Sequence, residues 1–135
     1  MIKIPGSIFE KIKAQGRAEA PNEACGYLAG VDGEVQEIIP MKNADESPTH
    51  FSFDPEEQFA ALQKATARGV DLFSVYHSHP ATPPRMSEED IRLAYDTSIT
   101  YLIYSMLTDE IKAFQINTEK QVSETTVKII ADPET

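Results

Sequence analysis

At 135 residues the chain has the length of one domain, and with 41% hydrophobic and 25% charged residues it can build a core of ordinary globular kind. Its net charge of -10, from 12 basic and 22 acidic residues, leaves no basic surface to neutralise phosphates and argues against nucleic acid as a partner. One cysteine, Cys25, excludes an intramolecular disulfide; the opening MIKIPGSIFEKIK lacks the apolar run of a signal peptide; and no stretch reaches the ~18 apolar residues of a membrane span, so a soluble, cytoplasmic, single-domain protein over residues 1–135 is expected.

Ser7, with Glu10 three residues on, reads as the capping box of a first helix that runs to about Ala20 and stops before Pro21. Gly26–Gly30 reads as a short buried strand, Asp32-Gly33 as a two-residue hairpin turn, and Glu34–Ile39 as the returning strand. Asn43–His50 is polar, contains Pro48 and is expected to be a loop. The second helix has the clearest start, with Asp54 as N-cap, Pro55 at the first helical position and Glu57 closing a capping box. Phe59, Leu62 and Ala65, with Ala61 beside them, form its apolar face, and Gly69 supplies the stop. Val70–His77 is a central-strand pattern, Pro80–Met86 a proline-rich loop, Ser87–Thr97 a third helix and Ile99–Met106 a second central strand. Ile111–Ile116 and Gln121–Ile130 complete the set. This order predicts an α+β fold, a mixed α/β sandwich with one main mixed sheet flanked by about three helices.

The chemistry concentrates in Tyr76-His77-Ser78-His79-Pro80 and Ser87-Glu88-Glu89-Asp90. Histidines at i and i+2 of a strand point to one face, so His77 and His79 can reach one ion, and Pro80 ends the strand. Asp90 lies one turn inside the following helix on the same side as Ser87. Two imidazoles and a carboxylate are the three protein ligands of a catalytic zinc site with a fourth position left for water. An iron(II) site can use the same three groups, and that alternative stays open. Taken singly, His77 and His79 could be polar residues on a strand's solvent face and Ser87 to Asp90 a plain capping box. Together they fit a site better: the histidines end an otherwise apolar strand, two of the chain's three histidines fall within three residues, and Ser87 can cap the helix while presenting its hydroxyl. Glu23 precedes an apolar strand entering the core. Cys25 reads as a small buried hydrophobe, His50 as a lone structural or exposed loop histidine, Phe51 and Phe53 as core more often than substrate contacts, and Arg85 and Met86 as loop residues between the ligands, either touching substrate or solvated.

These residues resemble the motif of the JAMM (MPN+) zinc metallopeptidases: a glutamate, then His-[Ser/Thr]-His-Pro, six residues, and Ser-x-x-Asp. Here it reads Glu23, His77 to Pro80, Ala81 to Met86, and Ser87 to Asp90. The segment Pro21 to Gly30 resembles the family's first strand, Phe51 to Pro55 the lead-in to its long helix, and the likeness runs from about residue 3 to residue 117. The resemblance implies one zinc ion per chain held by His77, His79 and Asp90. It implies Glu23 as the general base that later hands its proton to the leaving amine, and Ser87 as a stabiliser of the oxyanion. It also puts the loop of Phe51 and Phe53 near the binding cleft. The chemistry is sound in itself, since zinc lowers the pKa of bound water towards ~7 and a positioned general base is typically worth ~10²–10⁴-fold. The resemblance further implies cleavage of a peptide or isopeptide bond after the C-terminal Gly-Gly of a ubiquitin-like or sulfur-carrier protein, releasing cysteine or another amino acid. The extended tail would often enter by adding as a strand to a sheet edge. The rival readings are a non-catalytic interaction scaffold of the same fold, a zinc hydrolase of small amides or nucleobases, and a peptidoglycan or phage-associated peptidase. The deaminase reading lacks its Pro-Cys-x-x-Cys ligand pair.

Overall fold

A computed structural model describes residues 1–133 of the chain. In chain order the elements are β1 (Ile2–Pro5), α1 (Gly6–Glu19), β2 (Cys25–Val31), β3 (Glu34–Met41), α2 (Pro55–Ala67), β4 (Asp71–His79), α3 (Glu88–Leu93), β5 (Thr100–Ser105), β6 (Glu110–Ile116), β7 (Val122–Thr125) and β8 (Val127–Ile130). The strands form one eight-stranded mixed sheet in the order β7-β6-β5-β4-β2-β3-β1-β8. β4 and β5 run parallel, as do β1 and β8, while β2 pairs antiparallel with both β3 and β4. The fold is α+β, as expected, with three helices against one sheet.

The helices take opposite faces. Ile8 and Ile12 of α1 pack with Leu28, Tyr76, Leu102 and Tyr104 in the larger core, which β1 enters through Ile2 and Ile4. On the other face Ala61 of α2 packs with Cys25, Ile39 and Met41, and α3 joins Tyr101 and Ile116 through Ala94 and Ile91. Because strand side chains alternate, His77 in β4 shares the α2 face with Val75, and Tyr76 and Ser78 face α1. The β2–β3 turn is the expected Asp-Gly hairpin, with Asp32 at φ 53 and Gly33 at φ 77. Gly26 lies beneath the Tyr76 ring, where a Cβ would collide with the Tyr76 hydroxyl and the Ile39 carbonyl, so only glycine lets β2 and β4 meet here.

Several elements differ from the sequence reading. Ser7 is not the N-cap of α1: the helix starts at Gly6 after Pro5, and the Ser7 N–H donates 2.9 Å to Asp132 Oδ1, a partner 125 residues away. α2 keeps Asp54 as its cap, receiving the Glu57 N–H, but Phe59 and Leu62 lie 61% and 54% exposed, and only Ala61 and Ala65 are buried. β4 continues two residues past His77 and carries both histidines. α3 has six residues, under two turns rather than three, and Lys120 Nζ from the β6–β7 turn binds the carbonyls of Ile91 and Ala94 at its C-terminal end. The strand expected over Gln121–Ile130 breaks at Thr126 into β7 and β8, which lie on opposite rims of the sheet. The four-residue β1 had no counterpart in the reading.

Candidate metal centre

The end of β4, the first turn of α3 and the segment before β2 converge. His77 Nε2 and His79 Nε2 are 3.1 Å apart; His77 Nε2 lies 3.2 Å from Asp90 Oδ1, and His79 Nε2 lies 2.9 Å from Asp90 Oδ2. Donor atoms of Glu23, His77, His79 and Asp90 all fall within 4.8 Å of one another, and all four residues are buried. A tetrahedron with zinc–ligand arms of ~2.0–2.2 Å has edges of roughly 3.3–3.6 Å, close to the spacings of these three side chains.

Each side chain is held by its own local logic. His79 Nδ1–H donates to the Pro83 carbonyl at 3.0 Å, which fixes the ring and leaves Nε2 free as a ligand. The proline-rich loop after β4 thus orients the second histidine. The Phe51 ring stacks against His77 with centroids 4.9 Å apart. Asp90 is the N3 residue of α3's capping box: Ser87 Oγ accepts the Asp90 N–H, and Asp90 Oδ2 accepts the Ser87 N–H, both at 3.0 Å. The Ser87 hydroxyl accepts in this pair, so its own hydrogen remains free to donate.

The two carboxyl groups are driven apart. Burial alone would raise Asp90, but the facing His77 ring, the close imidazole nitrogens of His77 and His79, and the Ser87 N–H outweigh it and hold the carboxyl well below the ordinary carboxylate range. Glu23 has no such partners. Burial, with the Asp90 charge second, pushes it up to about 9. Among the described residues, its Oε1 and His77 Nδ1 are buried without hydrogen-bond partners. Two imidazole nitrogens turned at one another, an ionised carboxylate and an orphaned acid make a costly set by themselves and fit a bound dication. The set contains only nitrogen and carboxylate oxygen, which suits zinc.

Cys25, paired with His77 across the ladder, stays out of this chemistry. Burial and the nearby Glu23 push its thiol up to about 12, and its S–H points to the Met41 carbonyl. His50 stands half exposed on the rim, its Nδ1 2.9 Å from Asp45 Oδ2. The centre opens into a groove of about 780 Å³ lined by Tyr27, Phe51, Phe53, Leu72 and Tyr101, with Phe59 and Leu62 of α2 on its outer wall. Phe51 and Phe53 do both things the sequence reading allowed: they pack, partly buried, against the Cys25, Ile39, Met41 and Ala61 cluster and line the groove. Sequence reasoning missed Asn43, a buried side chain bonded to the Glu23 carbonyl; its only sequence signal was a polar residue directly after an apolar strand.

The profile of the family described as prokaryotic homologs of the JAB domain matches residues 5–117. A Thermus thermophilus protein named "Probable TtuB-protein conjugate cleaving protease" is 33% identical over 124 residues, covering 91% of this chain and 81% of that one. The "CysO-cysteine peptidase" of Mycobacterium tuberculosis is 33% identical over 107 residues, covering 78% and 73%. A solution structure of a Desulfitobacterium hafniense protein superposes with a TM-score of 0.90 at 40% identity, covering 99% of this chain and 96% of that one.

Proposed function

The chain belongs to the prokaryotic homologs of the JAB domain and is a hydrolase of peptide or isopeptide bonds whose donor set fits one zinc ion, and from that premise we propose that it cuts after the C-terminal Gly-Gly of a small ubiquitin-like or sulfur-carrier protein. The observation that carries this reading is the meeting of His77, His79 and Asp90, with an unpartnered Glu23 beside them, at the inner end of an apolar groove.

In this reading His77, His79 and Asp90 hold the ion. Zinc, when bound, supplies a Lewis acid for the scissile carbonyl and lowers the pKa of the attacking water. Glu23, which an adjacent dication would keep ionised, takes a proton from that water and delivers it to the departing amine, a task suited to a carboxyl group that no hydrogen-bond neighbour ties up. The Ser87 hydrogen donates to the carbonyl oxygen as charge grows there. The groove's aromatic walls keep water away and accept an extended, side-chain-poor tail, while Phe59 and Leu62 offer an apolar seat for the body of the carrier. A tail that added to a rim of the main sheet would have to extend inward to reach the centre. β4 lies three strands in from β7 and four from β8, roughly 14 Å or more from either rim.

Two relatives support the substrate class by name, one for protein conjugates of TtuB and one for the link between CysO and cysteine. The test is direct. Zinc-loaded protein is incubated with carriers whose Gly-Gly is extended by cysteine, by another single amino acid, or through a lysine side chain, and the released species is measured. Release after Gly-Gly is expected, silenced by a strong chelator and restored by zinc. Cleavage of none of them by zinc-replete, folded protein overturns the substrate class.

A further inference from the structure

Glu23 lies two residues before β2, outside the sheet ladder, and its carboxylate Oε1 has no partner to hold it. Its position therefore depends on the backbone on either side. That backbone is pinned at four points. The Glu23 N–H donates to the Ser47 carbonyl at 2.9 Å. The Glu23 carbonyl accepts from Asn43 Nδ2 at 3.1 Å. The Ala24 N–H donates to Ser78 Oγ at 2.8 Å, and the Ala24 carbonyl accepts the Ser78 N–H at 2.9 Å. Ser78 and Asn43 are both buried.

Ser78 sits between the two histidines but on the opposite face of β4, against α1 beside Gly16. Its hydroxyl has no path to the metal side. Instead it carries the β2–β4 pairing past Cys25–His77 by one residue, which places Glu23 opposite His79 on the metal face. Asn43 makes the second anchor. Besides Glu23, its Nδ2 binds the His50 carbonyl at 3.0 Å, and its Oδ1 accepts the Asp45 N–H at 3.0 Å, so it ties Glu23 to the loop whose Phe51 stacks on His77.

We propose that Ser78 and Asn43 are positioning residues that together set the place of Glu23 relative to the ligand strand. The proposal rests on the proton-carrying role given to Glu23 above. A misplacement of about 1 Å in such a group costs on the order of 10²-fold in rate.

The experiment measures kcat, KM, zinc content and melting temperature of the zinc-loaded protein on its best-cleaved Gly-Gly conjugate. Ser78→Ala and Asn43→Ala should each lower kcat roughly 10- to 100-fold, leave KM within about twofold and keep one equivalent of zinc. Ser78→Thr, which keeps the hydroxyl, should return kcat to within about threefold of the parent protein. In the Glu23→Gln background Ser78→Ala should lower the residual rate no further, because the group it positions is gone. An equal loss in both backgrounds, loss of zinc, or a rise in KM without a fall in kcat overturns the proposal. If Ser78→Ala does not fold, Asn43→Ala and its own combination with Glu23→Gln decide the matter. The two readings fail separately. Full turnover in Glu23→Gln alone removes the proton carrier, whereas loss there with none in Ser78→Ala and Asn43→Ala removes only the positioning.

Discussion

Glu23 and Asp90 have donor atoms within 4.8 Å of each other, yet their surroundings prepare them for different work. The Asp90 carboxylate lies against both imidazoles, accepts the Ser87 N–H and is held ionised. Glu23 is bare and buried, so its proton affinity follows whatever charge and water occupy the centre. Glu23→Gln is expected to retain one equivalent of zinc while cutting kcat on a Gly-Gly conjugate by ~10²–10⁴-fold; metal analysis alongside a turnover assay checks both halves. At this scale the spacing of His77, His79, Ser87 and Asp90 was legible, because a period of two on a strand and an i to i+3 step on a helix fix which side chains share a face. The backbone anchors Ser78 and Asn43 were not, because they act on a segment 54 and 20 residues away in sequence, through hydrogen bonds that leave no periodic mark.

Among the helices, the capping signals of Asp54 and Ser87 were read from sequence and both caps form, but the one at Ser7 does not. The first turn of α1 instead receives Asp132 from the far end of the described chain, and no local pattern announces such a cap. Asp132→Ala is expected to cost about 1 kcal/mol, seen as a modest fall in melting temperature with turnover unchanged. The apolar pattern of α2 was also misassigned. Phe59 and Leu62 have the spacing of a buried face, yet the small residues Ala61 and Ala65 meet the sheet and the larger pair looks outward along the groove. Helical period shows that residues share a side; it does not show whether that side meets the core or a partner. Phe59→Asp and Leu62→Asp should therefore leave melting within a degree or two and raise KM for a carrier conjugate about tenfold or more, with kcat little changed. If instead both variants melt much earlier, the pair is structural and the seat for a carrier lies elsewhere.

For the molecule as a whole, the proposed centre bears on stability as well as on cleavage. Without an ion, four buried donor groups would face one another. Zinc at about a thousand times its Kd adds about 4 kcal/mol to folding, so chelation should lower the melting temperature by roughly 10 °C as well as silence cleavage. Calorimetry of chelated and reloaded protein checks this. The close pass of β2 over β4 is a second global constraint. Gly26→Ala places a methyl against Tyr76, whose hydroxyl already donates 2.5 Å to Gln15 Oε1, and should cost about 1–3 kcal/mol by forcing the strands apart. The α+β class and the three helices followed from the sequence, whereas the rim strands did not. β1 is too short to show a pattern, and the split of Gln121–Ile130 reflects two separate partners, β6 for one half and β1 for the other.

That split at Thr126 has a consequence for how the molecule comes together. β7 and β8 belong to opposite rims yet are one residue apart, so the sheet must curl until its borders nearly touch, with Thr126 as the rivet. Ile2 cannot meet Val127 until almost the whole polypeptide has been synthesised. The seam between β1 and β8 is therefore expected to close late in folding and to loosen early. In hydrogen exchange, amides on either side of it should trade their protons well before those of β2, β4 and β5, leaving the metal-bearing centre closed while the border breathes.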